Sequence, residues 1–98
     1  MTIEIKRSAE ATVITLVGRL DTTTAPALDK TIGEDIAGTK NLVLDVKELE
    51  YISSAGLRVL LGAQKKMQKI GSMKVINVCE EVMEVFEMTG FADILTIE

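Results

Sequence analysis

From Ile3 to Lys6 apolar and polar residues alternate as in a half-exposed strand, and past the polar Ser8-Ala9-Glu10 turn the run from Ala11 to Val17 is rich in β-branched residues. Together these segments predict an opening hairpin. Beyond Gly18-Arg19-Leu20-Asp21 the period changes. Ala25, Leu28, Ile32 and Ile36 recur at helical spacing behind the capping hydroxyls of Thr22, Thr23 and Thr24, and Pro26 suits a first helical turn, so a helix is predicted to end near Gly38. Asn41 to Val46 is a nearly continuous apolar run, which predicts a central strand covered on both faces.

A second helix is predicted from Ser54. Leu57, Leu60, Leu61, Ala63, Met67 and Ile70 form its apolar stripe, Arg58, Gln64, Lys65, Gln68 and Lys69 face outward, and Gly71 takes the C-cap. Met73 to Val78 is the next strand, and the strand–helix–strand order over 41–78 implies a parallel pair with a right-handed crossover. A third helix is predicted over about Glu80 to Thr89, burying Val82, Val85 and Phe86 and turning Glu81, Glu84 and Glu87 to water, with Gly90 ending it; Ile94 to Ile97 is predicted as a short closing strand. The fold class is therefore α/β, a mixed sheet of an opening hairpin plus parallel strands packed against helices.

At 98 residues the chain accommodates one domain over 1–98, and its 47% apolar content is that of an ordered protein. A formal charge of −4, with two Phe, one Tyr and no Trp, excludes both the basic footprint and the stacking platform of a nucleic-acid binder. One cysteine, Cys79, allows no intrachain disulfide and reads as a small core residue at a strand end. No leader-like segment precedes Thr2 and no apolar run approaches the roughly 20 residues of a membrane span, so a soluble cytoplasmic protein without membrane contact is expected.

Candidate chemistry is concentrated where the central strand hands over to the second helix, at Asp45-Val46-Lys47-Glu48-Leu49-Glu50-Tyr51-Ile52-Ser53-Ser54-Ala55-Gly56-Leu57. A helix start presents unpaired N–H groups and the positive dipole end, so a serine there either caps the helix or carries a phosphate at little electrostatic cost. On the residues alone Ser54 reads first as an ordinary N-cap, Ser53 as a cap or loop hydrogen-bonder, Asp21 as a turn or capping residue or a contact, and Asp45 as structural or as orienting the loop. Catalysis lacks parts. Without histidine there is no Ser-His-Asp triad, and no Ser-x-x-Lys pair, phosphate-binding Gly-rich lysine motif or Cys/His metal cluster occurs, so neither cofactor nor metal is expected.

This order of elements, with Gly18-Arg19-Leu20-Asp21, Asp45 and Tyr51-Ile52-Ser53-Ser54-Ala55-Gly56-Leu57, resembles the STAS family, whose free-standing bacterial members are anti-sigma factor antagonists. The resemblance spans essentially the whole chain and implies a STAS-like mixed β-sheet. It also implies partner switching: the unmodified protein binds an anti-sigma factor with serine kinase activity, releasing the sigma factor, and phosphorylation by that kinase ends binding until a serine phosphatase restores it. The aligned acceptor is Ser54. Ser53 stands where the family commonly has an acidic residue, so either hydroxyl is open to the kinase, with Ser54 favoured. The implied contact surface is Asp21, Thr22 and Thr23 before the first helix, with Ser53, Ser54, Ala55, Gly56, Leu57 and Arg58 at the second. Many members continue into a further helix beyond the position of Glu98. Related STAS proteins control outputs other than a sigma factor, and others are unmodified scaffold or ligand-binding modules.

Overall fold

The computed structural model describes residues 1–35 and 38–98, and Asp35 by its backbone alone, so the predicted helical position Ile36 lies outside the described residues. The elements are β1 (Thr2–Arg7), β2 (Thr12–Leu20), α1 (Ala25–Asp35), β3 (Asn41–Ile52), α2 (Ser54–Ile70), β4 (Ser72–Ile76), α3 (Glu80–Thr89) and α4 (Phe91–Ile94). They form a four-stranded sheet in the order β1-β2-β3-β4, antiparallel between β1 and β2 and parallel across β2-β3 and β3-β4. The expected mixed sheet is present, with α1 and α2 as the connections between its parallel strands.

Alternation within the strands decides which face is covered. Ile14 and Leu16 of β2, Leu42, Leu44 and Val46 of β3, and Met73 and Val75 of β4 are buried and join the apolar sides of the helices in one cluster that includes Leu28, Ile32, Leu57, Leu60, Met67, Val82 and Phe86. On the other face Val43 is buried but Asp45 is only half-buried, so burial of both faces does not extend along the whole predicted run. The antiparallel hairpin is closed by Ser8, whose N–H and hydroxyl both reach the Ala11 carbonyl.

The central strand is longer than its apolar run, reaching Ile52 and taking in Lys47, Glu48 and Glu50. Two irregularities explain why its pattern misled. Thr15 pairs with Asp45 but Val17 with Glu48, and Gly18 pairs with Leu49 but Arg19 with Tyr51, so β3 twice carries one residue more than β2. Each extra residue flips the alternation. The buried positions consequently run Val46, Leu49, Ile52, a spacing that neither a strand nor a helix template recognises.

Six other expectations are corrected. Gln64 faces inward at 7% exposure, one turn beyond Leu60, and its Oε1 finds no hydrogen-bond partner among the described residues; Ile70 is instead 51% exposed as the stripe leaves the core. Val85 is half-buried. β4 stops at Ile76 because Asn77 adopts a left-handed conformation (φ 60°), a region that Asn tolerates better than most side chains. Cys79 is thus not at a strand end but is the half-buried N-cap of α3, its thiol reaching the Leu49 carbonyl at 3.5 Å. The closing segment is not a strand: after Gly90 (φ 81°) residues Phe91–Ile94 make one helical turn as Phe91 and Ala92 pack on the core, and Ile97 alone bridges Val75.

Candidate functional site

The site is built where β2 and β3 end side by side. The Ser53 N–H donates to the Leu20 carbonyl at 2.8 Å, joining the strand end before α2 to the corner that leads into α1. Ser53 is then the N-cap of α2: its Oγ accepts the Gly56 N–H at 3.3 Å and its carbonyl accepts the Leu57 N–H at 2.9 Å. This settles a choice that the sequence left open. Ser53 caps the helix, and Ser54 occupies the first helical position with an exposed side chain whose hydroxyl enters no hydrogen bond among the described residues.

Gly56 fixes the height of that helix start. A Cβ there would lie 2.7 Å from Leu20 Cγ and 2.9 Å from Ile52 Cγ1, so only hydrogen allows the first turn of α2 to rest on the two strand ends. Gly56 and Leu57 are both buried in the free chain and support the surface from beneath. Ala55 is half-buried, while Ser54 and Arg58 are exposed. The first turn of α2 contains no acidic residue, so its positive end is uncompensated by side chains of its own.

The corner before α1 is locked by Asp21 and Thr24. Asp21 Oδ1 accepts the N–H groups of Thr23 (3.0 Å) and Thr24 (3.1 Å), the Asp21 N–H donates to Thr24 Oγ1 (2.9 Å), and the Thr24 hydroxyl donates to the Arg19 carbonyl (2.8 Å). The Thr24 N–H above all holds the Asp21 carboxyl below the usual aspartate range; the Thr23 N–H, the Thr24 hydroxyl and Arg19 act in the same sense, and partial desolvation opposes them. Thr22 and Thr23 project from this corner, both exposed.

A folded-state pKa below the unfolded value means that charged Asp21 stabilises the fold above the ordinary aspartate pKa. That contribution is lost as pH falls through the ordinary range to the lowered value. Asp21→Asn is therefore expected to be the less stable protein at neutral pH and to converge on the natural one as pH falls below the ordinary aspartate range, as read by urea midpoints. A gap independent of pH would mean that the charge is not the stabilising feature.

Two side chains that the sequence reading passed over belong to the same surface. Arg19 lies over the Tyr51 ring at 4.2 Å from its centroid and its Nε is 3.9 Å from Asp21 Oδ2; Tyr51 is 41% exposed, unusual for the only tyrosine of a chain this poor in aromatics. Their pairing across β2 and β3 depends on the second strand irregularity, which no sequence pattern reveals. Between the first turns of α1 and α2 runs an open groove of about 280 Å³, lined by Thr22, Ala25, Pro26 and Asp29 on one side and Ala55, Arg58 and Val59 on the other. A larger hollow of about 550 Å³ flanks β3 beside Lys47, Glu48 and Cys79, but the serines take no part in it. Asp45 is structural here, its Oδ1 accepting from the Lys47 N–H and the Asn77 side-chain amide.

An exposed serine free of capping duty, on a glycine-seated helix start beside an Asp-locked corner, can be compared with known proteins. The sequence model of the STAS domain matches residues 2–98. This chain belongs to the STAS domain family. Among its STAS relatives, the anti-sigma-B factor antagonist of Bacillus subtilis is 28% identical over 97% of this chain and 88% of its own length. The anti-sigma-B factor antagonist of Listeria monocytogenes is 31% identical over 100% of this chain and 89% of its own. In three dimensions an anti-sigma factor antagonist from Mycobacterium paratuberculosis superposes with a TM-score of 0.89 at 26% identity, covering 98% of this chain and 83% of that one. No described helix is long and apolar enough to cross a membrane.

Proposed function

We propose that this STAS domain is an anti-sigma factor antagonist of the cytoplasm, a binding protein without catalytic activity, whose unmodified form captures an anti-sigma factor with serine kinase activity and so frees the sigma factor. The kinase transfers the γ-phosphoryl group of ATP to Ser54 Oγ, the hydroxyl proton leaves, ADP departs, and the phosphorylated chain lets go. A serine phosphatase hydrolyses the ester and resets the protein.

The observation that carries this reading is the division of labour between the two serines. Ser53 is committed to the cap, with its hydroxyl occupied by the Gly56 N–H, whereas Ser54 is exposed and its hydroxyl free among the described residues. A kinase reaches such a group without unravelling the helix. The contact surface in this reading consists of Asp21, Thr22 and Thr23, the serines, Ala55 and Arg58, with the α1/α2 groove between them. The names of the relatives support the choice of partner.

The test is capture from native lysate with Ser54→Ala and Ser54→Asp baits, bound proteins being identified by mass spectrometry. Loss of a kinase-type ATPase with aspartate and its retention with alanine support the proposal. Identical captures by the two baits contradict it and favour an unmodified scaffold.

A further inference from the structure

Arg58 stands one turn beyond Ser54 on the exposed side of α2, with its Nε 3.5 Å from the Ser54 carbonyl oxygen. The side chain is thus already folded back towards the helix start, the direction in which helical side chains lean. Residues four apart on a helix have Cβ atoms about 5–6 Å from each other, so a phosphate projecting from Ser54 falls within the sweep of the guanidinium. Its planar fork matches two phosphate oxygens at once.

A carboxylate that competes for Arg58 lies on the neighbouring helix. The first turn of α2 has no carboxylate, and Asp29 of α1 faces Arg58 across the groove they both line. Arg19 and Asp21, also at this end of the sheet, lie against each other at 3.9 Å. A phosphate close to a dianion outbids a single exposed carboxylate for a guanidinium.

Resting on the reading of Ser54 as acceptor, we propose that Arg58 is the internal partner of its phosphate. Modification draws the guanidinium out of the α1/α2 groove and onto the phosphate, so the docking surface loses a cation while it gains an anion. Arg58 is in this sense a positioning residue of the switch, and a partner carboxylate that uses it in the unmodified protein is left without a counter-ion.

The experiment uses full-length protein carrying phosphoserine installed at position 54 during translation, with neither kinase nor partner present. The second phosphate pKa is followed by phosphorus NMR in the natural background and in Arg58→Gln, Arg58→Lys and Lys65→Gln. Pairing stabilises the dianion, so Arg58→Gln is expected to raise that pKa by about half a unit, Arg58→Lys by less, and the exposed Lys65→Gln, two turns further along α2, to leave it in place. Equal values in the natural and Arg58→Gln proteins overturn the proposal. Equal rises in Arg58→Gln and Lys65→Gln also overturn it, since net charge alone then explains the shift. Either failure leaves Ser54 phosphorylation standing, and a kinase that ignores Ser54 leaves the pairing measurable.

Discussion

Ser54→Asp is expected to lower affinity for the anti-sigma factor about a hundredfold or more, a change of about 2.7 kcal/mol, while Ser54→Ala binds as tightly as the unmodified protein and no longer responds to ATP. The asymmetry follows from where each group ends up. In the free protein a negative charge at the first position of α2 faces solvent at an uncompensated positive helix end, where it is expected to add about 0.3–1 kcal/mol to stability. In the proposed complex it would be stripped of water against a partner that accepts a neutral hydroxyl, and an unpaired charge buried in that way costs several times more. Aspartate therefore drives stability and binding in opposite directions, which separates a switch from simple damage to the fold. Alanine at 54 removes no cap, because the cap is Ser53. Thermal unfolding of both variants beside their binding isotherms checks the pair of signs; parallel losses of stability and binding by Ser54→Asp would contradict the account.

The second large effect is on the fold itself. Gly71 ends α2, its N–H donating to the Met67 carbonyl at 2.7 Å, and a Cβ at this position would lie 1.8 Å from the backbone oxygen of Lys40. That oxygen also accepts the Ser72 N–H at 2.8 Å, the bond beside which the pairing of β4 with β3 begins at Asn41 and Ser72. The conflict is with backbone and not with a yielding side chain, so relief requires the α2–β4 turn or the start of the strand pair to move. Gly71→Ala is expected to cost about 3 kcal/mol, at the upper end of ordinary overpacking. The backbone of Gly71 is extended, so the cost is one of space and not of dihedral angle. Urea unfolding measures it; a loss below about 0.5 kcal/mol, the size of a neutral surface change, would show that the contact relaxes freely.

Much of this architecture is legible in the order of apolar positions. The hairpin, the first two helices, the central strand and the Gly71 and Gly90 helix ends are all marked by period and by capping residues. The sequence is opaque where geometry departs from a single period. The two extra residues in β3 turn a regular alternation into a three-residue spacing at Val46, Leu49 and Ile52, and the polar residues between them disguise a strand as a loop. Gln64 misleads for the opposite reason, a polar residue standing on a buried stripe. At the C-terminus Ile94-Leu95-Thr96-Ile97 has strand composition, but packing of Phe91 and Ala92 after Gly90 favours one more helical turn.

The candidate site shows the same limits. The motif around Ser53 and Ser54 stands out in the sequence, yet which serine caps the helix depends on a single residue of register. That register is set by the Ser53 N–H bond to Leu20 and by the fit of Gly56 against Leu20 and Ile52. Arg19 and Tyr51 meet through strand pairing, and Asp29 faces Arg58 through helix packing, so neither pair has a local signature.

The central claim, that Ser54 is the residue on which binding is switched, is tested most directly by incubating the captured kinase partner with this protein and ATP. Intact mass and peptide mapping are then read on the protein that leaves the complex. The account predicts one added phosphate, located on Ser54, in the released fraction and none in the fraction that stays bound. Release without phosphate, or a phosphate mapped to Ser53 with Ser54 untouched, would contradict it.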